Sequence, residues 1–245
     1  MVALRLLLLS KLGYHLATST KKTQKMNPLL RAVCASFAAC VASIASAKAV
    51  FPDIPEQINP SAKYVFYSHG YIVEGDNETP IHKRWGKYDF PAIKQALSDD
   101  AYTLIAEHRP KGVAPDAYTK TLVSKVHKLL DAGVSASNIT LVGFSRGGAL
   151  TIMASDALKN DAIHYVVLAG CAGLIKSKTE IQLYGKVLSV YETSDQVGSC
   201  DFVKARSANL KSFSEISIST GKEHGAFYLP RDEWLKPVKS WILNH

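Results

Sequence analysis

Acidic residues are missing from the first 47 positions of this 245-residue chain, which hold Arg5, Lys11, Lys21, Lys22, Lys25 and Arg31. The formal charge of +8 at pH 7 therefore belongs mainly to that stretch. With those six set aside, residues 48–245 carry 23 basic and 21 acidic groups, a net of +2. So neutral a remainder lacks the basic footprint of a nucleic-acid-binding domain. A long apolar run is also missing. Ala32 to Ala47 is shorter than the roughly 20 apolar residues a membrane-spanning helix needs and is rich in Ala and Ser, so no stable span is expected. Cysteine is scarce, with four in the chain and two, Cys171 and Cys200, beyond residue 47. Neither of these lies in a C-x-x-C pair, and two cysteines cannot close a structural zinc site, so no metal is expected. What remains, 47% apolar and 20% charged residues, is too apolar for a disordered chain and too polar for a multi-span one, and suits a single globular domain.

The acid-free stretch reads as an address. Lys21, Lys22, Lys25 and Arg31 lead into the run that ends at Ala45-Ser46-Ala47, the A-x-A pattern of a signal-peptidase site. Residues 1–47 are thus an N-terminal extension with a signal peptide, Met26 an alternative start, and residues 48–245 the working domain. Lipid attachment at Cys40 is a competing reading, on a short apolar segment and a poor consensus. Export implies a secreted or periplasmic protein, and an even cysteine pair in an oxidising compartment is a disulfide candidate. Two buried free thiols are the alternative for Cys171 and Cys200.

From residue 63 onward, short apolar runs alternate with amphipathic stretches, the pattern of an α/β domain with a mostly parallel sheet. Strands are expected at Tyr64–Ser68, Thr103–Glu107, Asn138–Phe144, His164–Ala169, Val187–Tyr191 and Phe213–Ser217. Between Pro115 and Gly133, Tyr118, Leu122, Val126, Leu129 and Leu130 recur at helical spacing, with Pro at the start and Gly just past the end. Ala149–Leu158 and Arg231–Leu243 are further helices, the latter with Trp234, Val238, Trp241 and Ile242 on one face. Glu74–Phe90 has no clear period and carries Gly75, Pro80 and Gly86, so it reads as a loop draped over the domain. It contains His82, Lys83, Arg84, Trp85 and Tyr88, a mixture suited either to touching a ligand or to pinning a solvated loop. Residues 48–245 contain no internal repeat, low-complexity tract or linker.

The sharpest motif is Gly143-Phe144-Ser145-Arg146-Gly147, between a strand and a helix. In a G-x-S-x-G elbow the serine sits on a strained turn and its flanks must be small because backbone crowds them. A serine hydroxyl needs a general base and a group to orient that base. In chain order the candidates are Asp195, just past one strand, and His224, in the loop after the next, both at the carboxyl edge of a parallel sheet. Glu192 and Asp201 compete as the acid. Glu192 falls within the strand, whereas Asp201 is better placed to open a helix. The oxyanion of an attacked carbonyl needs backbone N–H donors. Arg146 supplies one, and the turn His69-Gly70-Tyr71 the other, from Tyr71 or alternatively Gly70. His69, Gly70, His82, Trp85 and His108 are expected around the substrate cleft. Lys83, Arg84 and the Arg146 side chain leave open a preference for anionic substrates.

Together His69-Gly70-Tyr71, the Ser145 elbow, Asp195 and His224 resemble the α/β-hydrolase superfamily, across nearly all of the chain from Tyr64 onward. The resemblance implies a three-layer α/β sandwich on a mostly parallel six-stranded sheet. It also implies a Ser-His-Asp hydrolase that works through an acyl-enzyme without metal or organic cofactor. Two departures stand out: the usual antiparallel opening strands are missing or reduced, and residues 170–186 are too few for a large cap. The expected partner is a small-molecule or lipid ester. A non-catalytic cell-envelope binding protein on the same fold is the rival, and no motif specifies an oligomeric state. If residues 1–47 direct export, N-terminal sequencing of the exported protein will begin at Lys48; a mature chain retaining residues before Ala45 would refute the assigned cleavage site.

Overall fold

The computed structural model of the chain describes residues 48–245, so Met26, Cys40 and the Ala45-Ser46-Ala47 site lie outside the described residues. Among the described residues seven parallel strands form one sheet: β1 (Val50–Phe51), β2 (Lys63–Ser68), β5 (Tyr102–Ile105), β6 (Ile139–Phe144), β7 (His164–Leu168), β8 (Gly185–Glu192) and β9 (Leu210–Ile218). Their spatial order is β1-β5-β2-β6-β7-β8-β9. Six of these match the expected strands to within a few residues. The seventh, β1, corrects the strand count. Its two residues pair with Leu104 and Ile105, and a pair that short carries no period to detect.

The central strands β6 and β7 are buried along their whole length, as parallel strands covered on both faces must be. Successive side chains divide between two cores. Tyr64, Phe66, Leu141, Tyr165 and Val187 face one, and Val65, Tyr67, Val142, Val166 and Leu188 the other. Helices α2 (Pro115–Asp131), α3 (Arg146–Leu158), α4 (Gly173–Ser177) and α5 (Asp201–Ala205) cover the first face, and α1 (Phe90–Leu97) and α6 (Asp232–Asn244) the second. The result is a three-layer α/β sandwich.

The segment expected to be an irregular loop contains more order. Residues Ile81–His82 (β3) and Gly86–Lys87 (β4) pair as a small antiparallel hairpin, and α1 begins directly at Phe90. The helix had a signal in the sequence: Asp89 accepts the Ala92 N–H at 3.0 Å as its cap, Pro91 occupies the first turn, and Phe90, Ile93 and Leu97 face the core. The absence of strong alternation hid the hairpin, whose four paired residues are mostly exposed.

Cys171, just after β7, is bonded to Cys200, just before α5, with their Cα atoms 5.4 Å apart. Both cysteines are buried. The bridge closes a loop with a sequence separation of 29 and ties the ends of two core segments. By loop-closure entropy it contributes about 3 to 4 kcal/mol. Reduction, or a paired Cys171→Ala and Cys200→Ala change, is expected to lower the free energy of unfolding by that amount. Equal denaturation midpoints with and without reductant would contradict this.

Candidate active site

Ser145 stands between the last residue of β6 and the first of α3, with φ 55° and ψ −117°. A positive φ on a residue with a Cβ costs about 1–3 kcal/mol and persists only when the surroundings hold it. Here the Ser145 N–H donates to the Leu168 carbonyl at 2.8 Å, and its own carbonyl accepts from Ala149 at 2.9 Å. The flanking glycines are required by space. A Cβ on Gly143 would lie 2.2 Å from the Gly147 carbonyl oxygen, and one on Gly147 only 1.9 Å from that of Ser68. Gly148 and Gly170 face each other in the same way, each Cβ position 2.8 Å from the other's Cα.

His224 lies in a short 3-10 turn, Glu223–Phe227, beyond the end of β9. Its Nε2 is 2.8 Å from the Ser145 Oγ, and its Nδ1 is 2.6 Å from Asp195 Oδ2. A carboxylate only accepts, so Nδ1 carries the proton and Nε2 faces the serine hydroxyl as acceptor. Asp195 is itself oriented by the Val197 N–H, 3.1 Å from Oδ1.

The competing acid Glu192 ends β8 and points elsewhere. It accepts from the Ser194 N–H at 2.7 Å, the Ser194 hydroxyl, the Thr220 N–H at 2.8 Å and the Gly221 N–H at 3.1 Å. Burial pushes its carboxyl up, but the bonds from Ser194, Thr220 and Gly221 outweigh that and hold it below the ordinary value. Glu192 thus staples the Asp195 loop to the segment leading into His224. Asp201 opens α5, where it faces the helix N-terminus.

Tyr71 and Arg146 are each the first residue of a helical segment, Tyr71–Val73 and α3, so neither N–H has an intrahelical partner. The two segments are joined beneath the surface by charges that sequence reading did not anticipate. Glu74, its side chain 1% exposed, lies 3.0 Å from Arg146 Nε and 3.4 Å from Arg109 Nε. Fully buried Arg109 in turn donates to the His69 carbonyl, and its backbone N–H donates to His69 Nε2 at 2.9 Å. That bond makes Nε2 an acceptor, so the Nδ1 proton is donated to the Gly70 carbonyl at 2.8 Å. Arg146 also donates to the Val113 carbonyl and lies over the Tyr71 ring, 4.9 Å from its centre. Its charge is therefore engaged by Glu74 and Tyr71.

An open cleft of about 410 Å³ runs over Ser145 and His224. Of the residues expected around it, Gly70, His82 and Trp85 line it, together with Ile72, Phe144 and Tyr228, which carried no expectation for the cleft. His69 and His108 do not. His69 is sealed under the turn by Arg109, and His108 is drawn away by a 2.6 Å bond to the Val73 carbonyl. Arg84 is engaged by Glu223 at 2.6 Å, and Lys83 does not reach the cleft wall. Among the described residues no group of three His, Cys, Asp or Glu side chains is arranged to hold a metal ion, and no helix is long and apolar enough to cross a membrane.

No protein-family model and no curated protein matches the sequence. Several solved structures resemble it in fold. A phospholipase/carboxylesterase from Dyadobacter fermentans gives a TM-score of 0.54 at 15% identity, over 78% of this chain and 93% of that one. A variant of Arabidopsis thaliana SOBER1 gives 0.50 at 15% identity, over 74% and 99%. Est1E from Butyrivibrio proteoclasticus, with ferulic acid bound, gives 0.50 at 14% identity, over 78% and 91%. The chain has the α/β-hydrolase fold.

Two buried imidazoles set an acid limit to this fold. Burial and then the Arg109 charge lower His69 to about 2, and burial and then Lys186 lower His164 to about 4. Both are ordinary, near 6.5, once unfolded. Between these values the unfolded chain binds more protons than the fold, so stability falls as pH drops through that range, by up to about 1.4 kcal/mol per pH unit for each group. Urea unfolding between pH 6.5 and 5 is expected to show this decline, shallower in His69→Asn; a flat profile would contradict it.

Proposed function

We propose that this protein is a serine hydrolase that cleaves an ester or related acyl bond through an acyl-enzyme at Ser145. The observation carrying this reading is the continuous chain from Ser145 Oγ to His224 Nε2 at 2.8 Å and from His224 Nδ1 to Asp195 at 2.6 Å, with the serine at φ 55° beside an open cleft. The fold shared with a carboxylesterase and with Est1E supports it.

On this reading Ser145 Oγ attacks the carbonyl carbon while its proton passes to His224 Nε2, and Asp195 holds the resulting imidazolium in place. The carbonyl oxygen, now negative, accepts from the backbone N–H groups of Tyr71 and Arg146, each worth about 2.7 to 4 kcal/mol if it acts as such donors typically do. The bond to the leaving alcohol then breaks, and the alcohol oxygen takes the proton from His224. Water, deprotonated by the same imidazole, attacks the acyl-enzyme in the mirror of these steps and releases the acid. The substrate class is a small-molecule or lipid ester. The acid-free leader and the Cys171–Cys200 bridge support a secreted or periplasmic site of action.

A fluorophosphonate probe is expected to label the full chain and to fail on Ser145→Ala. Against p-nitrophenyl esters, Ser145→Ala should lose about six orders of magnitude in kcat and Asp195→Asn about four. Equal labelling of both proteins would refute the assignment of Ser145. A folded wild type that is neither labelled nor active across ester, thioester and amide analogues would point to the binding protein.

A further inference from the structure

The site around Ser145 has two chambers. The 410 Å³ cleft and a second chamber of about 250 Å³, bordered by Arg84, Gln196 and Glu223, share Trp85 as a wall. Ser145 and His224 line both. Accepting the acyl-transfer reading above, we propose that Trp85 is the partition that sorts the two halves of the substrate, and that the substrate is a neutral ester joining an apolar acyl group to a polyol.

Trp85 is a fixed wall. Its indole N–H donates to Glu223 Oε2 at 2.9 Å, its ring stacks on His82 with centres 4.2 Å apart, and it meets Tyr228 edge-on at 5.9 Å. The histidine loop is fitted against it: a Cβ on Gly225 would fall 2.8 Å from the Trp85 Cβ. Glu223, which holds both Trp85 and Arg84, stands at φ 52°, so these contacts keep in place an uncommon backbone conformation next to His224. A reacting carbonyl has to sit at Ser145, which lines both chambers, so the groups on either side of it extend into one chamber each, with Trp85 at their shared wall.

The chambers differ in chemistry. The larger is walled by Ile72, Phe144, Tyr228 and the Trp85 ring and has no Lys, Arg, Asp or Glu in its lining. An alkyl or aryl group gains there, each buried methylene strengthening binding up to about fourfold. The smaller is the more polar of the two, with Arg84, Ser194, Gln196 and Glu223 in its lining; Arg84 is paired with Glu223 at 2.6 Å, and Asp195 accepts from the neutral His224. An anion finds no free cation in that lining, whereas hydroxyl groups find the remaining guanidinium N–H groups, carboxylate lone pairs and the amide of Gln196. The larger chamber has room for the bulkier of the two groups. The second suits a glycerol unit or one edge of a sugar ring. The alcohol belongs on this side because it departs first, protonated by His224, among the more polar side chains, while the acyl group stays bonded to Ser145 against the apolar wall.

The test compares kcat/KM of the full-length wild type, Trp85→Ala and Gln196→Ala on two ester series, each substrate normalised to its alkaline hydrolysis rate. One series is p-nitrophenyl acetate, butyrate and hexanoate; the other is the butyrate of methanol, glycerol and glucose. The wild type is expected to favour hexanoate over acetate at least tenfold and a polyol butyrate over methyl butyrate at least fivefold. Preference for glycerol or for glucose distinguishes a glycerolipid from a carbohydrate source. Trp85→Ala should bring both ratios within about twofold. Gln196→Ala, at an exposed position, should lower the polyol ratio alone and keeps the proposal testable if Trp85→Ala does not fold. A wild type that favours acetate, shows no polyol advantage, or keeps both ratios in Trp85→Ala overturns the partition. Fluorophosphonate labelling of the same samples separates the two levels: labelling that depends on Ser145 while the ratios fail leaves the hydrolase reading intact, and absent labelling defeats that reading as well.

Discussion

Three pieces of backbone crowd together beneath Ser145, and the rest of the site is arranged around that contact. The end of β2, the end of β6 and the first turn of α3 approach so closely that a methyl group at Gly143 or Gly147 would overlap a carbonyl oxygen, at 2.2 and 1.9 Å. Close approach puts the Ser68-His69-Gly70 turn against the elbow, with the Gly70 Cβ position 3.6 Å from that of Ser145. The segments that begin at Tyr71 and at Arg146 therefore both start beside this contact. The strained φ of Ser145 follows from the same packing, since the chain must reverse from strand to helix within one residue while donating to Leu168.

Carboxylates hold the surrounding loops to this centre, and the two buried ones, Glu74 and Glu192, do so because a buried charge must be paired and hydrogen-bonded. Glu74 joins Arg109, which grips the carbonyl of His69, to Arg146 at the start of α3. Glu192 gathers N–H groups from both loops that supply Asp195 and His224. Glu223, less buried, draws the hairpin of β3 and β4 onto the histidine through Arg84 and Trp85. These three carboxylates thus fix the His69 turn, the hairpin and the loops of Asp195 and His224, and the acid bonded to His224 is a fourth. Glu192 is excluded from that role by the number of backbone donors it already satisfies.

Much of this was legible beforehand. The six longer strands and the helices α2, α3 and α6 have strong periods and clear stops, and the elbow has a steric signature in its glycines. The order Ser145, Asp195, His224 follows from where the strands end. The hairpin and β1 were not legible because two-residue strands have no period. Helix α1 was readable from Asp89 and Pro91 but lay inside a stretch dominated by turn residues. Glu74 looked like any loop glutamate, since nothing local shows that two arginines, 35 and 72 positions further along, converge on it.

The sequence by itself determined the elements that depend on neighbours along the chain: the alternation of strand and helix, the glycine pattern that admits a serine on a tight turn, and the near-neutral charge beyond residue 47. Only the tertiary structure decided which groups share a space. It sealed His69 and diverted His108 from the cleft, engaged Arg84 and Arg146 with carboxylates, and made Trp85 a wall common to two chambers. Burial and charge pairing act through distance in space, and loops that meet over a parallel sheet come from positions far apart in the chain. A local pattern therefore carries the strained turn, and only the fold carries the company that turn keeps.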